Sequence, residues 1–232
     1  MLSAGEREQA WAMVEMFHRL APGYDRGNRL VSLGGDLRWR RRAAAEALNC
    51  RSGRVLDLAT GTGDMASALE RLGGRVVGID LSPSMLAIAR AKVARGTVLL
   101  LGHVLRLPFK ANSFDAITIA FALRDIPNLP DTFRECYRVL RSGGRLVCLE
   151  LSHPRRGVAF FYRLYMERVM PLLGRRVGVR GTDYNFLARS AAAFPSARWL
   201  ASLMETGGFG GVGFRRLALG AVAIHWGCKD CA

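Results

Sequence analysis

Apolar and polar positions along the chain change period several times, and each change marks an element. Trp11, Met13, Val14, Met16, Phe17 and Leu20 recur at helical steps until Pro22-Gly23 stops the run. Arg38 to Leu48 reads as a basic helix. At 54–58 the pattern becomes a short continuous apolar run, as in a strand buried on both faces. Helix 64–72, strand 75–79, helix 83–94 and strand 97–101 follow, then a loop, strand 114–120, helix 130–140 and strand 145–151. Pro83 directly after Ser82 gives helix 83–94 an N-cap with proline in its first turn. This alternation predicts a doubly wound parallel sheet. Residues 152–195 interrupt it with an aromatic helix (Phe160, Phe161, Tyr162, Tyr165) ending near Pro171, a Gly/Arg loop, and Tyr184 to Leu187. A helix over 196–205 and strands 211–218 and 221–226 close the chain as an antiparallel hairpin. The expected organisation is one domain: a helical cap over 1–50, a ligand-binding core over 51–151, a helical lid over 152–195, and a C-terminal helix and hairpin over 196–232.

A chain of 232 residues, half of them hydrophobic, suits one α/β domain with an additional lobe. No window reaches the ~18 uninterrupted apolar residues of a membrane span. Glu6, Arg7, Glu8 and Gln9 stand where a secretory signal would be apolar, so the expected location is the cytoplasm. The net charge is +15, and 31 of the 34 basic residues are Arg. Such a chain attracts polyanions, either nucleic acid or an anionic membrane face. The densest cluster is Arg38-Trp39-Arg40-Arg41-Arg42, with others at Arg155-Arg156 and at Arg175-Arg176 with Arg180. No nucleic-acid-binding module is recognisable, and charge alone leaves the partner open. The five cysteines (Cys50, Cys136, Cys148, Cys228, Cys231) are scattered and odd in number. One C-x-x-C at 228–231 without a second ligand pair does not make a zinc site, so reduced thiols and no metal are expected.

The chemistry concentrates in Val55-Leu56-Asp57-Leu58-Ala59-Thr60-Gly61-Thr62-Gly63-Asp64. A strand that turns through glycines into a helix brings backbone close to a ligand, most often a nucleotide. A dinucleotide fold would place a third glycine where Ala66 stands, and Asp57 lies inside the first strand. The pattern D-x-A-x-G-x-G instead resembles motif I of the class I S-adenosylmethionine (SAM) methyltransferases, and Asp80 ends the second strand where a ribose-chelating carboxylate belongs. Longer runs narrow the resemblance: Phe121 to Pro127, Tyr137-Arg138-Val139-Leu140, Leu149 to Pro154, Tyr184 to Pro195, Leu219 to His225, and upstream Phe17-His18, Tyr24-Asp25 and Trp39-Arg40. From about residue 10 to 229 the chain is similar to the ubiquinone/menaquinone biosynthesis C-methyltransferase family.

The resemblance implies the class I SAM-methyltransferase fold, a Rossmann-like doubly wound α/β sheet that is mostly parallel with an antiparallel C-terminal hairpin. It implies SAM as cofactor, held by Asp57, Gly61, Thr62 and Gly63 in the turn, Asp80 and Leu81 at the ribose, His103 and Val104 at the adenine, and Ala120 on the fourth strand. His103 stands where the family usually has Asn or Asp, Ala120 where it often has Ser, and Asp125 where it usually has Asn. The implied substrate is a reduced polyprenyl quinol, since methyl transfer to a ring carbon needs an electron-rich ring. Arg124 would stabilise the developing phenolate, with Asp125 or a water it holds taking the proton, and His153 and Tyr24 as further catalytic candidates. His18 and His225 read as packing residues. The aromatics of 158–187 and the N-terminal helix suit the prenyl tail, and the basic clusters suit peripheral docking on an anionic membrane. Nucleic acid is not an expected partner, and a homo-oligomer is left open, as is the choice of naphthoquinol or benzoquinol. Two other readings remain: another SAM methyltransferase acting on a small molecule or RNA, and a non-catalytic SAM-binding homologue in a quinone-synthesis complex.

Overall fold

A computed structural model describes residues 4–49, 53–154 and 194–231, together with Gly157, Leu164 and Arg168. Three helices precede the first strand: α1 (Ala4–Leu20), α2 (Tyr24–Val31) and α3 (Gly35–Leu48). The pattern of apolar positions does not reveal α2, because Tyr24, Leu30 and Val31 are too few for a helical period and none is fully buried. Polar links hold it instead.

Seven strands form one sheet: β1 (Arg54–Leu58), β2 (Arg75–Asp80), β3 (Val98–Leu101), β4 (Phe114–Ala120), β5 (Leu140–Leu151), β6 (Phe209–Leu217) and β7 (Val222–Lys229). Their order is β3-β2-β1-β4-β5-β7-β6. The first five run parallel, and β7 lies antiparallel between β5 and β6. Helices α4 (Asp64–Glu70), α5 (Pro83–Lys92), α6 (Leu129–Val139) and α7 (Ala197–Thr206) connect or flank the strands. The doubly wound sheet and its closing hairpin are those the periodicity predicts. Element ends differ. α4 stops at Glu70 rather than 72, because the N–H groups of Gly73 and Gly74 turn back onto the carbonyls of Glu70 and Leu69. β5 begins at Leu140, which pairs with Phe114 before a register shift.

Alternate residues of each strand feed two apolar layers. Leu56, Leu58, Ile117 and Ile119 pack with Phe133 and Cys136 of α6 and Leu200 and Met204 of α7. On the other face Val55, Ala116 and Val147 meet Ala43, Ala44 and Ala47 of α3 and Met65 and Leu69 of α4. Small residues on α3 let it lie close to the sheet, so the N-terminal helices are part of the core.

Cys136 and Cys148 are buried free thiols. Cys228 and Cys231 are joined as a disulfide, against the expectation of reduced thiols throughout. The end of β7 turns sharply enough to bring their Cα atoms to 5.7 Å, within bridging range. The aromatics of 158–187, Arg155, Arg156, Arg175, Arg176, Arg180 and Cys50 lie outside the described residues. Among the described residues, no helix is long and apolar enough to cross a membrane, and no acid, His or Cys cluster has metal-ligand geometry.

Candidate functional site

The sheet order reverses between β1 and β4, and the crevice beyond the carboxyl ends of such strands is where open α/β sheets bind ligands. A cavity of about 870 Å³, including its open mouth, lies there. Its floor is the turn after β1 and the ends of β2 and β4; α1 closes it with Met13, Val14 and Phe17. Gly61, Asp80, Leu81, His103, Val104, Ala120, Tyr24 and Asp125 line it together. Asp57, Thr62, Gly63, Arg124 and His153 do not.

Asp80 ends β2 with both carboxylate oxygens in use. Gly61 N–H donates to Oδ2 and Ser82 N–H to Oδ1, each at 2.8 Å. Burial raises its pKa, while the N–H groups of Ser82, Gly61 and Leu81 oppose the shift. The carboxylate therefore fixes the glycine turn and faces the cavity from one position. Asp57 sits deeper. Thr60 Oγ1 donates to its Oδ2 at 2.6 Å and Thr118 Oγ1, its register partner on β4, to Oδ1 at 2.7 Å. Burial pushes Asp57 up to about 6 against those two hydrogen bonds and the charge of Arg40. Its place is behind the cavity wall, bracing the turn against β4. Gly63 has φ +84°, and a Cβ there would lie 3.0 Å from the Ala89 Cβ, so only glycine lets α5 pack against the turn. His103 accepts at Nδ1 from Leu105 N–H at 3.1 Å and keeps its ring on the cavity wall.

Thr62 Oγ1, outside the lining, donates to Asp25 Oδ1 of α2 at 2.6 Å. Lys92 of α5 pairs with Asp25 and, at 2.9 Å, with Asp64. Arg29 pairs with Asp64 at 2.7 Å and with Asp36 of α3. These links clasp α2 and α3 to the turn and to α4 and α5. His18, expected to pack, is exposed and meets Ser84 Oγ at 2.6 Å, a surface link between α1 and α5. His225 is buried, with Nε2 2.8 Å from the Ala197 carbonyl, and burial lowers its pKa to about 4.

Near the ends of β4 and β5, four groups bear on one another: Arg124, Glu150, Asp125 and Tyr24. Arg124 Nη1 donates to Glu150 Oε1 at 2.9 Å. Glu150 is fully buried and also accepts from Leu123 N–H at 3.0 Å and Leu151 N–H at 2.8 Å. Arg124 thus pairs with a core carboxylate rather than a surface acid, and its Nε has no hydrogen-bond partner. Burial works against its charge, but Glu150, Asp125 and Tyr24 outweigh it and raise the pKa. Asp125 lies on the cavity wall with Oδ2 3.9 Å from Arg124 Nε, and neither of its oxygens has a hydrogen-bond partner. Burial raises Asp125 to about 6, Arg124 opposing and Glu150 adding to the shift. The Tyr24 hydroxyl is raised by burial, with Arg124 and Arg40 pulling it back down. His153 is exposed beyond β5 and joins none of these groups, because the strand end carries it outward.

Sequence reasoning missed three things here. Glu150 has the same signature as Asp57, an acid inside an apolar strand run, and that signal was readable. Arg40 was hidden in a run of arginines assigned to the surface, although it is 7% exposed. The clasp from Asp25 and Arg29 to Asp64 and Lys92 has no signal in spacing, since its members are up to 67 positions apart.

A model of the ubiE/COQ5 methyltransferase family matches residues 4–229. The chain is 46% identical over 218 residues to a demethylmenaquinone methyltransferase of Thermus thermophilus, covering 91% of this chain and 99% of that protein. It is 38% identical over 219 residues to a ubiquinone/menaquinone biosynthesis C-methyltransferase UbiE of Desulfotalea psychrophila, covering 93% and 89%. A solved SAM-dependent methyltransferase from Thermotoga maritima shares the fold, with a TM-score of 0.66 at 23% identity over 94% of this chain and 99% of that one.

Proposed function

The chain belongs to the ubiE/COQ5 methyltransferase family, and from that membership we propose that it methylates a ring carbon of a prenylated quinol, demethylmenaquinol in particular. It is a SAM-dependent C-methyltransferase of quinone biosynthesis. The name of the Thermus relative, which the chain matches almost end to end, favours the naphthoquinol ring. The observation that carries the reading is one cavity lined by Asp80 and Gly61 together with Tyr24 and Asp125.

The residues fit the cofactor. Asp80 presents a carboxylate beside the glycine turn, suited to two ribose hydroxyls, and His103 and Val104 wall the end beyond β3. When bound, SAM supplies an electrophilic methyl group on a sulfonium. Asp125, with a pKa near 6, is ionised at neutral pH and takes a phenolic proton, which strengthens the adjacent ring carbon as nucleophile. Arg124 stands behind Asp125 rather than on the cavity wall, and its charge, held in place by Glu150, stabilises the developing phenolate through space. Tyr24 donates its hydroxyl proton as a hydrogen bond to the same oxygen, a role its raised pKa suits. With SAM bound, methyl transfer would form the ring C–C bond as the S–C bond breaks; the ring proton would pass to water and Asp125 would return its proton to the ring oxygen, restoring the quinol and the carboxylate.

The substrate's tail is apolar, so the enzyme works where lipid is. Leu33, 78% exposed at the turn between α2 and α3, stands beside exposed Leu37, Arg38, Arg41 and Arg42. That patch suits peripheral docking on an anionic membrane surface. Incubation with SAM and a short-chain demethylmenaquinol, against a benzoquinol and bulk RNA, tests the reading by product mass. A methylated naphthoquinol supports it; methylated RNA, or no product with any acceptor, refutes it.

A further inference from the structure

Arg40 differs from every other arginine of α3. Arg38, Arg41 and Arg42 are exposed, whereas Arg40 is 7% exposed and points inward. Its Nε has no hydrogen-bond partner, and no ion pair reaches its guanidinium among the described residues. The guanidinium carbon lies 5.0 Å from the centroid of the Phe121 ring, and that ring lines the cavity, with Arg40 directly behind it rather than in the lining. A buried guanidinium without an anionic partner is costly, so its fork is held ready for something the polypeptide does not provide.

The acids around Arg40 are committed elsewhere. Its charge bears on Asp57, Asp64 and Tyr24. Asp57 is occupied by two threonine hydroxyls, and Asp64 by Arg29 and Lys92. The order of groups along the cavity then says what the fork receives. His103 and Val104 lie beyond β3, Asp80 at the end of β2, Gly61 and Ala59 at the end of β1, and Phe121 at the end of β4. A nucleoside with its ribose on Asp80 and its base toward β3 sends its 5′ substituent across β1 to Phe121 and Arg40. In SAM that substituent ends in an amino acid. The buried charges of Asp57 and Asp64 would repel its α-carboxylate unless a cation stood between.

We propose that Arg40 is the receptor for the α-carboxylate of SAM, gripping it through the guanidinium fork while Phe121 holds the fork flat from below. The inference rests on the reading of this cavity as the SAM site. It gives the two inward arginines different roles. Arg124 bears on Asp125 and Glu150 at the acceptor side, and Arg40 bears on the acids of the cofactor turn.

The test is calorimetric and needs no turnover. The probes are S-adenosylhomocysteine and its decarboxylated analogue, which share base, ribose and thioether. Wild type should bind the first about 10–100-fold more tightly, the scale of hydrogen bonds between charged groups. Arg40→Gln should bind both equally, at the wild-type affinity for the decarboxylated probe, and Arg40→Lys should keep part of the preference. Equal binding of both probes by wild type overturns the proposal, as does a full preference in Arg40→Gln or an equal weakening of both probes in it. Should Arg40→Gln fail to fold, wild type and Arg40→Lys decide, since an unchanged preference with lysine also overturns it. If folded wild type binds neither probe, the cofactor reading itself falls and the assignment of Arg40 with it.

Discussion

Replacing Glu150 tests the buried pair behind the acceptor side of the cavity. Its carboxylate is fully buried and accepts three hydrogen bonds, from Arg124 Nη1, Leu123 N–H and Leu151 N–H. Glu150→Ala removes both acceptor oxygens, and with them three hydrogen bonds, and leaves a buried guanidinium unpaired, at about 3–5 kcal/mol. Against a total stability of about 5–15 kcal/mol, that variant is marginal or unfolded. Glu150→Gln is the better probe. It keeps one acceptor oxygen, puts an amide NH2 where the other accepted, and loses the charge opposite Arg124, at about 1.5–3 kcal/mol. Urea titration should show a lower midpoint with an unchanged slope, because the exposed surface does not change. Arg124→Ala leaves the opposite orphan, a buried carboxylate, so the double variant Arg124→Ala/Glu150→Gln should be more stable than the sum of the singles by about 1–3 kcal/mol. Turnover should fall with Glu150→Gln while SAM affinity stays within about twofold, since Arg124 lies away from Asp80. Additive stabilities in the cycle, or a loss of SAM binding that matches the loss of turnover, would refute the reasoning.

Four further outcomes are expected. The acid limb of kcat/KM should fall as pH drops through about 6, where Asp125 protonates; Asp125→Asn should lose that limb and about 10²–10³ of rate. Because the folded pKa of Asp125 lies above its unfolded value, the ionised group costs stability above pH 6, so Asp125→Asn should be no less stable than wild type at about pH 8 by urea titration. Asp80→Ala should weaken SAM binding by about 1.5–3 kcal/mol in calorimetry and loosen the 59–63 turn, visible as faster amide exchange at Gly61 and Ser82. Vesicle sedimentation should show binding that needs anionic lipid, weakens with salt, and is lost on replacing Arg38, Arg41 and Arg42 by Gln; equal retention on neutral vesicles would make the charge incidental.

Strand and helix order was legible because buried parallel strands and amphipathic helices have different periods, and β1 to β5 obey them. The turn residues were legible as a group, but not their directions. Asp57 and Thr62 look alike with Asp80 in a motif, yet one braces β4 and the other ties α2, because side-chain direction depends on neighbours far along the chain. α2 escaped because it is held by ion pairs, which leave no periodic trace. Glu150 and Arg40 were each readable as an anomaly, an acid among apolar strand residues and an arginine on a helix face of alanines.

The clasp between the N-terminal helices and the cofactor turn also governs timing. Asp25 and Arg29 find their partners in Thr62, Asp64 and Lys92, so the first helices cannot settle until the chain has been synthesised through α5. Until then Met16 and Leu20 of α1, buried in the finished protein, have nothing to cover them, and the nascent chain carries an unprotected sticky face. The same links mean that cutting the chain ahead of β1 does not trim an accessory piece. It takes Arg29 from Asp64 and Asp25 from Lys92, leaving those two only each other, and unroofs the cavity, so the smallest autonomous catalytic fragment must include α1 to α3.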